Sequence, residues 1–166
     1  MTISELILPE FDKEMASTRK ILECVPDDKL DFKPHEKSMG LGRLASHVAE
    51  MAQWAEHTLT MDKLEITPDM KPFNAKSRAE ILERFDEFVR SGREALVKAS
   101  DNDFKRNWSL IWQGQPVMSG TKYEILRGMA MNHMVHHRAQ LGVYLRLNNH
   151  PIPGMYGPSA DEPKGF

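Results

Sequence analysis

The chain has 166 residues, 40% of them hydrophobic and 28% charged, with a net charge of −2 and a sequence pI of about 6.4. This is the size and make-up of one soluble domain with its own core, so the whole of 1–166 is expected to form a single domain. The near-neutral balance gives no electrostatic footprint for nucleic acid or an anionic membrane, and no apolar run approaches the roughly 20 residues of a membrane span.

The N-terminus lacks the basic and apolar regions of a secretory signal. The lone cysteine, Cys24, cannot form an intramolecular disulfide. Both features fit a reducing, cytoplasmic setting. Cys24 reads as a buried helix residue with no activating base nearby, and the eleven methionines as core filler.

Taken in chain order, four stretches read as helices. The first runs from about Ser4 to Cys24, with Ile7, Phe11, Met15, Thr18 and Leu22 on one stripe. Pro9 marks its first turn or kinks an earlier start, and Pro26 follows its end. After a polar loop over Asp27–Lys37, Ser38 is a plausible N-cap for a second helix over Met39–Lys63, with Leu41, Leu44, Ala45, Val48, Met51, Ala52 and Ala55 facing inward. Ser77 and Glu80 form a capping-box pattern for a third helix over Ser77–Ser100. Its face is Leu82, Phe85, Val89 and Leu96, with Gly92 at a point where a neighbour can come close.

The segment Trp108–Met118 is rich in β-formers and broken by Gly114 and Pro116, which predicts irregular structure or a small hairpin. Thr121 and Glu124 cap the fourth helix, which continues to Leu147. The Pro- and Gly-rich tail Pro151–Phe166 reads as an extended arm. Four amphipathic helices in a chain of this length imply an all-α four-helix bundle.

The histidines carry the chemistry. His133 and His137 are four apart, so they share one helix face, together with Leu126, Met129, Ala130 and Tyr144. His136 faces a different flank. His47 sits on the apolar stripe of the second helix beside Leu44, Val48 and Met51, where an imidazole is costly unless partnered. A divalent metal ion between His47, His133 and His137 would satisfy all three rings. Neutral imidazole suits zinc and nickel, as well as iron and copper. Three protein ligands would leave a position for water or substrate. The plainer alternative makes each ring a hydrogen-bonded core residue. His35 and His150 read as solvated, and His57 as packing near Trp54. Glu50, three after His47, could orient a ligand or act as a base, although an exposed carboxylate is the simpler reading.

The whole pattern resembles the DinB/YfiT-like metalloenzyme family. The resemblance rests on Leu44-Ala-Ser-His47, on the run Asn132-His-Met-Val-His-His-Arg-Ala-Gln-Leu141, on Tyr144-Leu-Arg146 and on Pro153-Gly-Met-Tyr-Gly-Pro158. It implies an up-down-down-up, DinB-like four-helix bundle, commonly a homodimer, with the three-histidine site on His47, His133 and His137. Relatives with assigned activities include thiol-dependent S-transferases and a mycothiol-dependent maleylpyruvate isomerase. The resemblance therefore implies a low-molecular-weight thiol as cofactor and a small-molecule substrate. A coordinated thiol becomes a thiolate, which could attack an electrophilic carbon. Gln140, His136 and Tyr144 lie near the expected site. The alternatives are a metal-dependent hydrolase, with Glu50 as its base, and a non-catalytic, metal-stabilised dimeric binding protein.

Overall fold

The first helix, α1, runs over Ile3–Glu23. Thr2 accepts the Glu5 N–H, and the Glu5 carboxylate takes the Thr2 N–H at 2.7 Å, a complete capping box. The helix thus starts ahead of Pro9, which lies inside it. Ile7, Phe11, Met15, Thr18 and Leu22 are all buried, as their spacing predicts. The structure, a computed structural model, describes residues 1–162.

The expected second helix is divided into α2 (Leu41–Glu50) and α3 (Gln53–Thr60). Its start is Gly40, not Ser38, whose N–H instead bonds the His35 carbonyl. Between the two pieces the backbone tightens. Ala52 N–H bonds Ala49 O, Trp54 N–H bonds Met51 O and Ala55 N–H bonds Ala52 O, all three residues back rather than four. The turn sits against Gly92 of α4 (Arg78–Lys98). A Cβ added at Gly92 would lie 3.0 Å from the Ala52 carbonyl oxygen and 3.1 Å from Ala55 Cβ, the close approach its position predicts. Ser77 caps α4 by accepting the Glu80 N–H, while the Glu80 carboxylate takes the Lys76 N–H instead of completing the box.

The all-α expectation needs correcting, because the chain is mostly helical but also carries a small three-stranded sheet. Strand β1 (Lys63–Ile66) pairs in parallel with β2 (Asn107–Trp112), and β2 pairs antiparallel with β3 (Gln115–Thr121). The helix expected to reach Lys63 ends at Thr60, and Lys63 opens β1 opposite Ser109. Between α4 and β2 lies a short helix, α5 (Asp101–Lys105), capped by Ser100. The hairpin over 108–118 forms because Gln113 and Gly114 both adopt positive φ, at 49° and 74°, as a two-residue turn matching the twist of its strands requires. Trp108 and Leu110 point inward onto Ile125 to make a small second core under the sheet.

The last helical stretch opens with a complete Thr121–Glu124 capping box on α6 (Lys122–Ile125). It passes through a π-helical segment, Leu126–Asn132, and continues as α7 (His133–Leu147). The main core gathers Phe11, Leu22, Leu44, Phe85, Leu126 and Leu141 from α1, α2, α4 and this last stretch. Met15, Met51, Met131 and Met134 lie fully inside it as filler, whereas Met1, Met61 and Met70 are exposed, so the expectation holds only for part of the methionines. Cys24 is half-buried at the end of α1, where burial above all pushes its thiol pKa up and leaves it a poor nucleophile.

The described part of the tail folds back onto the helices. Tyr156 donates its hydroxyl to Glu14 Oε2 at 2.8 Å, and Asp161 pairs with Arg146. The last four residues of the expected arm, 163–166, lie outside the described residues. No helix among the described residues is long and apolar enough to cross a membrane.

Candidate metal centre

Two helices build the site. His47 sits one turn before the end of α2, and His133 and His137 form the first full turn of α7, directly after the π-helical segment. A π turn spaces residues more widely than an α turn and often marks functional positions. Its end at His133 leaves the following helix regular, so His133 and His137 share a face. One nitrogen from each of His47, His133 and His137 lies within 4.8 Å of the others. The ring centroids are 4.5 Å apart for His47–His137, 4.6 Å for His133–His137 and 5.4 Å for His47–His133.

The donor set fits a divalent ion. Ligands held at roughly 2.0–2.1 Å on a tetrahedral ion lie about 3.3 Å from one another. The Nε2 atoms of His133 and His137 are already 2.8 Å apart. The Nδ1 atoms of His47 and His133 are buried and have no hydrogen-bond partner among the described residues. Unpartnered buried nitrogens argue against the simpler reading of three satisfied core histidines. Burial lowers the pKa of His133 to about 4, with His137, His47 and His136 adding to the effect. Burial also lowers that of His137, against its hydrogen bond to Gln140 Oε1, which favours the charged form. Both rings are therefore neutral near pH 7, the form that binds metal.

Around the three rings lies a second set of side chains. His137 Nδ1 is 2.8 Å from Gln140 Oε1, and the Gln140 amide nitrogen is 3.1 Å from His136 Nε2. His47 Nδ1 faces Glu50 Oε2 at 3.5 Å. Glu50 is not the exposed carboxylate expected from the sequence, for its side chain is only 20% exposed. Its Oε1 takes the Phe73 N–H at 2.7 Å, and its Oε2 accepts from Arg43 at 3.0 Å. Burial would raise its pKa, but His47, the Phe73 N–H and Arg43 outweigh burial and hold the carboxyl below its usual range.

Beside the rings, a cleft of about 230 Å³ is lined by His47, His133, Arg43, Glu50, Trp54 and Ile66, with His57 also on its wall. His57 thus packs near Trp54 as expected and also borders this cleft, with its pKa lowered chiefly by burial. The Tyr144 hydroxyl is engaged elsewhere, donating to the Met39 carbonyl at 3.3 Å. His35 is exposed and His150 half-buried, and neither joins the cluster. Arg43, the cleft and the π-helical segment gave no signal in the sequence reading, since none follows from helical periodicity.

The DinB family model matches residues 1–164. The chain belongs to the DinB family. Over 162 residues it is 23% identical to the uncharacterized protein YrdA of Bacillus subtilis, covering 93% of this chain and 89% of that protein. Among solved structures, it is similar to a DinB-like protein from Bacillus cereus, with a TM-score of 0.74 and 26% identity over 93% of this chain and 98% of the other. A DinB-like protein from Bacillus subtilis, YjoA, shares the fold at a TM-score of 0.67, with 18% identity over 90% and 97% of the two chains.

Proposed function

We propose that this member of the DinB family is a divalent-metal-dependent enzyme of the thiol S-transferase type, with zinc or nickel held by His47, His133 and His137. The observation that carries the proposal is the cluster of three histidines, one nitrogen of each within 4.8 Å of the others, with His47 and His133 at the wall of a cleft. A bound ion would supply Lewis acidity, lowering the pKa of a small thiol that occupied its remaining position. The chain's own residues do the rest. Trp54, Ile66 and Met51 give the cleft an apolar wall that excludes water from a bound electrophile. The Arg43–Glu50 pair closes its polar side with the two charges cancelled.

We further propose that the four helical stretches form the up-down-down-up bundle of a single domain, with the sheet as an addition at one end. We also propose that the protein acts as a homodimer in the cytoplasm.

A hydrolase is the second reading. It is less favoured because the base the sequence suggests, Glu50, is committed to Arg43 and the Phe73 N–H and has a lowered pKa. The test starts with metal content. Purified protein should carry about one divalent ion per chain, and His47→Ala, His133→Ala and His137→Ala should each lose it, while His35→Ala and His150→Ala keep it. Small thiols should perturb the spectrum of the cobalt-substituted protein and gain reactivity with an electrophile. If the His133→Ala, His137→Ala double variant keeps its full metal, the site is wrong. If thiols neither perturb the spectrum nor gain reactivity, a hydrolase or a non-catalytic metal-stabilised dimer takes precedence.

A further inference from the structure

His47 and His137 lie on different helices, yet each has a side-chain oxygen three residues further on facing its Nδ1. For His137 it is Gln140 Oε1 at 2.8 Å, and for His47 it is Glu50 Oε2 at 3.5 Å. Residues three apart on a helix are surface neighbours, so both contacts follow from local geometry.

Both acceptors are held by further contacts. Glu50 is the last residue of α2, and its negative charge is largely buried. Three groups hold that charge in place: Arg43, the Phe73 N–H and the His47 ring. Gln140 is exposed, yet both ends of its amide are engaged. Its nitrogen donates to His136 Nε2, which leaves its oxygen to accept from His137 Nδ1. That arrangement fixes His137 as the tautomer with hydrogen on Nδ1 and a lone pair on Nε2. His47 Nδ1 is buried, and Glu50 Oε2 is the acceptor that faces it. A modest closing of the 3.5 Å gap would give His47 the same tautomer.

We infer that Glu50 and Gln140 are positioning residues that hold hydrogen on Nδ1 of His47 and His137, so that Nε2 of each ring is the ligating atom. The inference rests on the metal reading above and deepens it. Ligating histidines generally donate their other ring N–H to an acceptor, and loss of that acceptor weakens metal binding roughly 10–100-fold. His133 has no such support, because its Nδ1 is buried without a partner.

The experiment uses two variants that remove the acceptor, Glu50→Met and Gln140→Met, and two readouts. The first is ¹⁵N NMR of the histidine rings in metal-free protein at pH 8, which reports the tautomer directly. The second is zinc affinity by chelator competition. In the wild type, His47 and His137 should carry hydrogen on Nδ1. Glu50→Met should release that preference at His47 alone, and Gln140→Met at His137 alone. Each variant should bind zinc roughly 10-fold or more weakly, with metal-free melting close to wild type for Gln140→Met.

If Glu50 serves only to tie Phe73 and Arg43 to α2, Glu50→Met will lower metal-free stability and leave the His47 tautomer and zinc affinity unchanged, which overturns its part of the inference. Gln140→Met, at an exposed position, decides the matter even if the Glu50 variant folds poorly. The two claims separate cleanly. Wild-type tautomers as stated with no zinc binding would refute the metal centre and leave the positioning roles standing. Tight zinc binding with hydrogen on Nε2 of both rings would do the reverse.

Discussion

Glu14→Gln tests the ion pair with both partners most fully buried among the described residues. The Arg138 side chain is 2% exposed and pairs with Glu14, 8% exposed, at 2.7 Å. Arg138 also donates to the Glu14 carbonyl at 3.1 Å, to Thr18 Oγ1 at 3.0 Å and to the Tyr156 hydroxyl at 2.9 Å. The pair therefore links α1, α7 and the tail. Glu14→Gln keeps an oxygen that can still accept from Arg138 but leaves the guanidinium without a counter-charge. Breaking a buried pair from one side costs about 3–5 kcal/mol, and the retained acceptor places this variant near 3 kcal/mol. Arg138→Met strands the Glu14 carboxylate instead, with only the Tyr156 hydroxyl as donor, and should cost about as much at pH 7. The double variant removes both charges, so its loss should fall short of the sum of the two singles by about 2 kcal/mol or more. Urea unfolding of metal-free protein at pH 7 measures all three. A Glu14→Gln loss below about 1 kcal/mol, or strict additivity, would show that water reaches the pair and that its burial carries no weight.

Three further outcomes follow from the same structure. Gly92→Ala places a Cβ 3.0 Å from the Ala52 carbonyl and should cost about 1–3 kcal/mol in urea unfolding, as overpacking does; a stabilising effect of the kind Gly→Ala brings to an ordinary helix interior would refute the close approach. His133 has a pKa of about 4 in the metal-free fold against about 6.5 unfolded. Between those values the unfolded chain binds more protons, so metal-free stability should fall as pH drops from 7 to 5. His133→Asn should flatten that fall, and an equal fall in the variant would assign it to other groups. Light scattering should report a homodimer at micromolar concentration, and monomer alone throughout would remove that proposal.

Much of the fold was legible because most of its helices carry strong local signals. Ser77 and Thr121 cap where their spacing with Glu80 and Glu124 predicts, and the inward stripe of α1 is buried residue for residue. The misses share one cause, which is that tertiary contact decided the local backbone. The second helix reads as continuous from Met39 to Lys63, since no proline interrupts it. It tightens at Met51–Ala52, where the chain passes over Gly92, a contact 40 residues away that periodicity cannot register. The strand at Lys63–Ile66 is only four residues long and forms by parallel pairing with Asn107–Trp112, far along the chain. Short strands that depend on non-local pairing are weakly encoded in their own residues.

The site divides in the same way. The three histidines were found because a helical spacing of four and an apolar stripe are both visible in one dimension. What surrounds them was visible only in part. Glu50 reads from the sequence as an exposed carboxylate, but its burial depends on Arg43 folding across it and on the Phe73 N–H arriving from the loop before α4. The sequence reads as one helix from Met39 to Lys63, so nothing in it marks Glu50 apart from its spacing of three from His47. Its setting is made only on folding, when a guanidinium and an imidazole on α2 and a backbone N–H from the loop before α4 converge on one carboxylate, a convergence that helical periodicity does not encode.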